Sequence, residues 1–303
     1  MNEERYRNLL PCLFLLSVIS CSDGNVESGF TAVSEENMAS EIVRNEPDAS
    51  QSIIFRYEIK NTSDRLLDNV QVSVAIPVAD SVRHNIERLD ANIDGHIKTD
   101  SLGNQKYIME LQSLPPFSSK ILTVKVKLTN TSPLHLDTAG NLSLFLAETE
   151  AVPFKMAEFS EPIQLVKGAT DLDTARNAYL WVIKHMHYTG YLPNEYGALY
   201  ALEKARGDCT EYMYLLATIL RGNGIPARLV AGYVYAQSLI AVAADYHNWV
   251  EAYIDGEWRV VDAQKEHFMG NDKDYIEMAY LDSLTLHRGQ KFSASDDVVV
   301  KMF

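Results

Sequence analysis

The sequence is poor in cysteine, in positive charge and in long apolar segments, and each scarcity excludes a class of protein. Three cysteines in 303 residues are too few for the disulfide framework of a small secreted domain. Lys and Arg total 27 against 41 Asp and Glu, and no basic run is present, so nucleic acid is not an expected partner. The hydrophobic content of 47% excludes a disordered chain and suffices for one large domain or two ordinary ones.

The longest apolar run lies near the N-terminus, at residues 9–20 (LLPCLFLLSVIS). A helix of this length spans about 18 Å, short of the roughly 30 Å hydrocarbon core, so it suits a cleaved signal peptide better than a permanent span. The run ends at Cys21 in a pattern that resembles the lipobox of bacterial lipoproteins, in which this cysteine is acylated. The alternative is an ordinary signal peptide with a cysteine behind it by chance.

Both alternatives predict export. We therefore expect a signal peptide at residues 1–20 and a flexible polar tether at residues 21–34. With Cys21 acylated, the protein would be lipid-anchored in the cell envelope, on the periplasmic or outer face of a bacterial membrane.

Short alternating strands separated by turns follow in residues 35–166, and they predict an all-β, immunoglobulin-like sandwich. The clearest strands begin at Ile53, Asn69, Gln105 and Ser119. This region offers no catalytic cluster, since His84, His96 and His135 lack metal-ligand spacing and are predicted to be solvated.

Beyond residue 166 the hydrophobic period becomes helical, which predicts a separate α+β domain over residues 167–303. One helix is expected over 171–187, with Thr170 or Asp171 as its cap. A second helix begins near Asp208 and ends at two glycines. Strands are predicted to follow at 228–235, 247–254 and 257–262.

Cys209 stands in the first turn of the second helix. Asp208 can cap this helix, and Glu211 can complete a capping box. The positive end of the helix dipole favours a thiolate, so the sequence predicts a lowered pKa for Cys209. A buried structural cysteine is nevertheless the commoner role for any single cysteine.

The hairpin downstream supplies a partner for this thiol. The pair Asp255-Gly256 between alternating strands predicts a two-residue turn, which fixes the register of the hairpin. His247 and Asp262 then become diagonal neighbours on one face, close enough for a carboxylate to orient an imidazole. If the Cys209 helix packs on this face, the thiol meets the imidazole. The alternative is an ordinary pair of strands with an incidental His–Asp contact.

Two runs of sequence, GDCTEYMYLLATILRGNGIPARLVAGY and HNWVEAYIDGEWRVVDA, resemble the core of the transglutaminase-like superfamily, which is related to papain-type thiol enzymes. The resemblance covers about residues 172–265. It implies that Cys209 is the nucleophile, His247 the base and Asp262 the orienting carboxylate.

The family also uses an upstream aromatic or amide side chain at the oxyanion, and this sequence has no clear counterpart. Tyr196 and Tyr200 are the candidates, while the backbone N–H of Cys209 is the better donor. The cleft is expected to be lined by loops at residues 191–203 and 236–246.

The sequence therefore predicts an exported cysteine-dependent acyl-transfer enzyme, which most simply hydrolyses amide bonds in peptides, proteins or cell-wall peptides. One alternative is a transglutaminase that cross-links proteins, and another is a binding or assembly protein with a vestigial triad. No cofactor is expected. Residues 271–274 (NDKD) carry oxygen ligands that calcium favours but lack the spacing of a calcium loop.

Overall fold

A computed structural model describes residues 50–79, 81–130, 142–281 and 292–303. The predicted signal peptide, Cys21, the tether and His135 lie outside these residues. Asp48–Phe303 forms one compact unit. Within the described ranges, none of the helices has the length and hydropathy that a membrane span requires.

The N-terminal half of this unit is rich in β-strands. Its strands are β1 (Gln51–Asn61), β2 (Leu67–Ile76), β3 (His84–Ala91), β4 (Gly95–Thr99), β5 (Gln105–Leu114) and β6 (Ser119–Asn130). The four strands expected from the sequence are present as β1, β2, β5 and β6. Strands β3 and β4 escaped prediction because β3 alternates only weakly and every residue of β4 is exposed.

The C-terminal half mixes helices and strands. Its helices are α1 (Ser160–Leu165), α2 (Asp171–His185), α3 (Gly197–Lys204) and α4 (Cys209–Gly222), with short 3-10 turns at Leu142–Leu146, Ala157–Phe159 and Ala243–Asp245. Its strands are β7 (His187–Tyr188), β8 (Arg206–Gly207), β9 (Ala227–Val234), β10 (Leu239–Ala241), β11 (His247–Ile254), β12 (Glu257–Asp262), β13 (His267–Phe268), β14 (Tyr275–Leu281), β15 (Phe292–Ala294) and β16 (Val298–Met302).

Five of these strands form one antiparallel sheet in the order β13-β12-β11-β9-β14, here called the site sheet. Helix α4 is buried along almost its whole length, and its apolar residues share a core with those of β9, β11 and β12. The helix that carries Cys209 therefore packs on the sheet that carries the hairpin, as the sequence argument required.

The strands of the β-rich half form two further sheets, ordered β10-β1-β6-β3 and β15-β2-β5-β4, with β16 also paired to β1. Three of these strands, β10, β15 and β16, lie beyond residue 166, the predicted domain boundary. The two halves also share a hydrophobic core, since Tyr233 of β9 and Ile276 of β14 pack among side chains of β1, β2, β5 and β6. The immunoglobulin-like character of the two sheets stays a prediction.

Candidate active site

The hairpin of β11 and β12 has the predicted turn and register. Asp255 and Gly256 both adopt positive φ angles, 54° and 86°, as a type I′ turn requires. Ile254 pairs with Glu257, and the ladder continues in that register along both strands. The local turn therefore sets which side chains of the two strands meet.

His247 and Asp262 meet on this hairpin. The Nε2 atom of His247 lies 2.6 Å from Oδ2 of Asp262, and both residues are buried, with 5% and 1% of their surface exposed. The other carboxylate oxygen, Oδ1, accepts backbone N–H groups from Gln264 at 3.1 Å and Lys265 at 3.0 Å. Because Nε2 is engaged by Asp262, Nδ1 is the ring nitrogen left to exchange a proton with a neighbour.

Cys209 occupies the first position of α4, behind a complete capping box. The carboxylate of Asp208 accepts the N–H of Thr210 at 2.8 Å, and the carboxylate of Glu211 accepts the N–H of Asp208 at 3.1 Å. The residue before the box, Gly207, has no room for a side chain, because a Cβ there would lie only 2.4 Å from Cβ of Glu211. In the described part of the chain, the backbone N–H of Cys209 has no acceptor, so it remains available as an oxyanion donor.

A hydrogen bond between α4 and β11 joins the neighbours of Cys209 and His247. The side-chain amide of Asn248 donates to the hydroxyl of Thr210 at 2.8 Å. The backbone of Asn248 is also close enough to the thiol to favour the thiolate. The start of α4, which carries Cys209, therefore lies beside the start of β11, which carries His247.

The pKa of Cys209 departs from the sequence prediction. Burial, reinforced by the negative charge of Asp208, raises the pKa of this thiol to about 11, although hydrogen bonds from Asn248 and Thr210 act in the opposite direction. The predicted lowering is therefore wrong, because desolvation of the sulfur outweighs the helix dipole. At neutral pH the thiol keeps its proton, so a base must remove that proton during the attack itself.

This result leads to a pH prediction. Without substrate, we expect alkylation of Cys209 by iodoacetamide to be slow at pH 7 and to rise about tenfold per pH unit towards pH 10, because only the thiolate reacts. The rate is measured by mass spectrometry of the peptide that contains Cys209. The control is the same peptide in the urea-unfolded chain. Its alkylation rate should level off above the free thiol pKa of about 8.5. A fast plateau below pH 7 in the folded protein would contradict the expectation.

The two tyrosines predicted at the oxyanion lie near the start of α4. Their rings stack on each other with centroids 4.6 Å apart. The hydroxyl of Tyr200 accepts from Nε of Arg206 at 3.3 Å, and the backbone N–H of Tyr196 donates to Glu211 at 2.9 Å. Part of the predicted loop at residues 191–203 is in fact helix α3.

Tyr188 is a site residue that sequence reasoning missed. Tyr188 of β7 pairs with Gly207 of β8 in a short parallel sheet. Gly207 lies two residues before Cys209. Burial, followed by the charges of Cys209 and Asp208, raises the pKa of Tyr188. The ring is still 56% exposed and faces a surface that a substrate can reach. An aromatic residue three positions after the end of α2 was the available signal.

A buried network of charges lies behind the His–Asp pair. Nη1 of Arg83 lies 2.7 Å from Oε1 of Glu251 on β11 and also contacts Glu277 on β14. Burial alone would lower the pKa of Arg83, but these two carboxylates raise it, so the guanidinium stays charged. Arg83 comes from the β-rich half, and its two partners come from the site sheet.

The same network continues along β11. Arg228 binds Glu251 with Nε at 2.6 Å from Oε2, and its guanidinium lies between the rings of Trp258 and Tyr280. The indole N–H of Trp249 donates to Glu251 at 3.2 Å, and the same indole stacks beside the His247 ring. The network therefore holds β11 at Trp249 and Glu251, which lie two and four residues after His247.

One histidine predicted to be solvated belongs to these buried surroundings instead. His84 is only 4% exposed, and its Nδ1 lies 3.2 Å from both Ser81 Oγ and Glu277. Asp272, in the segment considered for calcium, accepts from Nε2 of His267 at 2.7 Å. His96, by contrast, is exposed as predicted. The prediction for His84 is wrong because its partner, Glu277, lies far away in the sequence.

A cysteine at the start of a packed helix, near a buried His–Asp pair on an antiparallel sheet, has the elements of a nucleophile, a base and an orienting carboxylate. Residues 162–263 match the family model of the transglutaminase-like superfamily. The segment that carries Cys209, His247 and Asp262 is therefore a transglutaminase-like domain.

The chain is also similar to individual proteins. A solved structure of a candidate cysteine protease from Cytophaga hutchinsonii has a TM-score of 0.60 at 14% identity, over 84% of this chain and 88% of that one. The shared fold thus extends beyond the segment that matches the family. The uncharacterized protein ML0607 of Mycobacterium leprae (strain TN) is 28% identical over 163 residues, which are 50% of this chain and 54% of that protein. The chain spans about half the length of this curated relative.

Proposed function

We propose that the protein is an exported cysteine-dependent enzyme that hydrolyses amide bonds in peptides, proteins or cell-wall peptides. The observation that supports this most directly is the His247–Asp262 pair, 2.6 Å apart and buried, beside a helix that begins at Cys209. An incidental His–Asp contact would not need a capped cysteine helix hydrogen-bonded to the same strand through Thr210 and Asn248.

The proposed chemistry gives each of the three side chains one role. His247 takes the proton of the Cys209 thiol as the sulfur attacks the carbonyl carbon, forming a C–S bond and a tetrahedral oxyanion. The backbone N–H of Cys209 donates to that oxyanion. The oxyanion then collapses, the C–N bond breaks, and His247 passes the proton to the leaving amine. Water, deprotonated by His247, finally resolves the thioester to a carboxylate and the free thiol.

Asp262 has an orienting role in this cycle. It keeps the proton of the neutral imidazole on Nε2, so that Nδ1 can accept from the thiol, and it stabilises the imidazolium that forms. Since the pKa of Cys209 is raised, the thiol begins the cycle uncharged, and the carboxylate matters most when the imidazole becomes a cation.

We favour hydrolysis over transfer to an amine because no feature of the sequence marks a site for a second, amine-bearing substrate. We also propose export and lipid anchoring, which rest on the apolar run at residues 9–20 and on Cys21. A membrane-attached protein of net charge −14 suits neutral or cationic peptide substrates better than anionic ones.

The proposal is tested by incubating the full-length protein with unfolded protein and cell-wall peptides in ¹⁸O-labelled water, together with a biotinylated primary amine. We expect new carboxyl termini that carry one ¹⁸O, detected by mass spectrometry, and none with Cys209→Ala. Biotin adducts without labelled carboxyl termini would instead identify a cross-linking enzyme. Products equal with and without Cys209→Ala, or no products at all, would favour a binding protein and overturn the proposal.

A further inference from the structure

Tyr275 reaches the same carboxylate oxygen as the catalytic histidine. Its hydroxyl donates to Oδ2 of Asp262 at 3.0 Å, and that atom also accepts from Nε2 of His247 at 2.6 Å. The phenol is buried, with 3% of the residue exposed. Asp262 therefore holds four donors, two on each oxygen, and Tyr275 is the one that shares an oxygen with the imidazole.

This tyrosine comes from outside the segment that matches the family. It opens β14, beyond residue 263, on the edge of the site sheet opposite β13. Its ring packs edge-on against Trp249 at 5.1 Å and lies 5.1 Å from the ring of His267. The phenol thus has a fixed position between two aromatic neighbours, so its hydrogen bond to Asp262 is not made by a freely rotating side chain.

Titratable and charged groups approach Tyr275 and Asp262 from every packed element. They are His247 on β11, His267 on β13, Asp272 after β13, Arg83 from the β-rich half, Tyr179 on α2 and Cys209 on α4. Of these groups, His247 hydrogen-bonds to Oδ2 of Asp262. Burial and the adjacent Asp262 raise the pKa of Tyr275, so the phenol remains a donor throughout the working range of pH.

We propose that Tyr275 is a positioning residue that sets the proton affinity of His247 through Asp262. A second donor on Oδ2 withdraws part of the negative charge that would otherwise attract the imidazolium. His247 then stays neutral, and able to accept the thiol proton, at a lower pH than it would beside an unshared carboxylate. The hydroxyl also limits rotation of the carboxylate, which keeps Oδ2 aligned with the ring. This inference rests on the proposed function.

Tyr275→Phe tests the inference, with Tyr233→Phe as the matched control. Tyr233 is an equally buried tyrosine whose hydroxyl donates to the sulfur of Met302, away from the site. The imidazole of His247 is titrated by NMR in histidine-labelled full-length protein, and its resonance is identified by its loss in His247→Gln. With Tyr275→Phe we expect the titration midpoint to rise by about one pH unit and kcat to fall about tenfold, as for a lost hydrogen bond to a charged group. Tyr233→Phe should change neither quantity.

A second measurement keeps a phenol at every tyrosine position and so does not depend on the Phe variant being folded. Uniform replacement of tyrosine by 3-fluorotyrosine makes each phenol a stronger donor, so the midpoint for His247 should move downward, opposite to the Phe variant. Midpoints that stay unchanged in both experiments would overturn the proposal. This titration needs no substrate, so its failure is distinct from that of the proposed function, which fails when Cys209→Ala leaves hydrolysis unchanged.

Discussion

Asp262→Asn is expected to lower turnover by about 10³- to 10⁴-fold. The amide oxygen can keep the two backbone donors, Gln264 and Lys265, so its NH₂ group then faces Nε2 of His247. To avoid two opposed donors, the imidazole must move its proton to Nδ1, which then cannot accept the proton of the thiol. Turnover is measured per folded molecule, with folding checked by thermal denaturation.

The neighbouring pair of His267 and Asp272 provides a matched control for this change. It has the same chemistry and nearly the same separation, 2.7 Å, but nothing in the site geometry assigns it to the thiol. Asp272→Asn should therefore lower turnover far less than Asp262→Asn. If the two variants lose equal activity, or if Asp262→Asn keeps full turnover in the folded protein, the orienting role of Asp262 is refuted.

Arg83→Met is expected to lower the free energy of unfolding by about 3–5 kcal/mol. The substitution leaves the carboxylates of Glu251 and Glu277, both fully buried, without their shared cation. Urea denaturation measures the loss. Because Arg83 connects the β-rich half to the site sheet, we also expect this variant to lose turnover at urea concentrations well below those that unfold it.

Arg88→Met is the control for Arg83→Met. Arg88 forms an ion pair with Asp90, but both side chains are largely exposed, at 71% and 49%. Exposed pairs contribute less than about 1 kcal/mol, so this variant should keep nearly the full stability. If Arg83→Met and Arg88→Met lower the free energy of unfolding by the same amount, the buried network does not stabilise the fold.

The parts of the site that the sequence predicted depend on short-range rules. The Asp255-Gly256 turn fixes the hairpin register, and the capping box of Asp208 and Glu211 fixes the start of α4. Each rule involves residues within a few positions of one another, so the His–Asp contact and the position of Cys209 could be derived from them. The packing of α4 on the site sheet was the one tertiary step, and the apolar face of that helix favoured it.

The parts that the sequence did not predict depend on distant partners. Arg83 meets Glu251 and Glu277 across 168 and 194 positions of the chain, and alternation in a strand does not distinguish a solvated glutamate from a buried paired one. Tyr275 was missed for the same reason. The raised pKa of Cys209 depends on how deeply packing buries the sulfur, which the capping pattern does not report.

The central claim is that Cys209 forms a thioester with the acyl part of a peptide substrate. The most direct test is rapid acid quenching of full-length protein with a cleaved peptide from the ¹⁸O experiment, followed by mass spectrometry of the segment that contains Cys209. The account predicts an added mass equal to the acyl fragment, removed by hydroxylamine and absent from Cys209→Ala. Cleavage without any adduct, and at the same rate in Cys209→Ala, would contradict it.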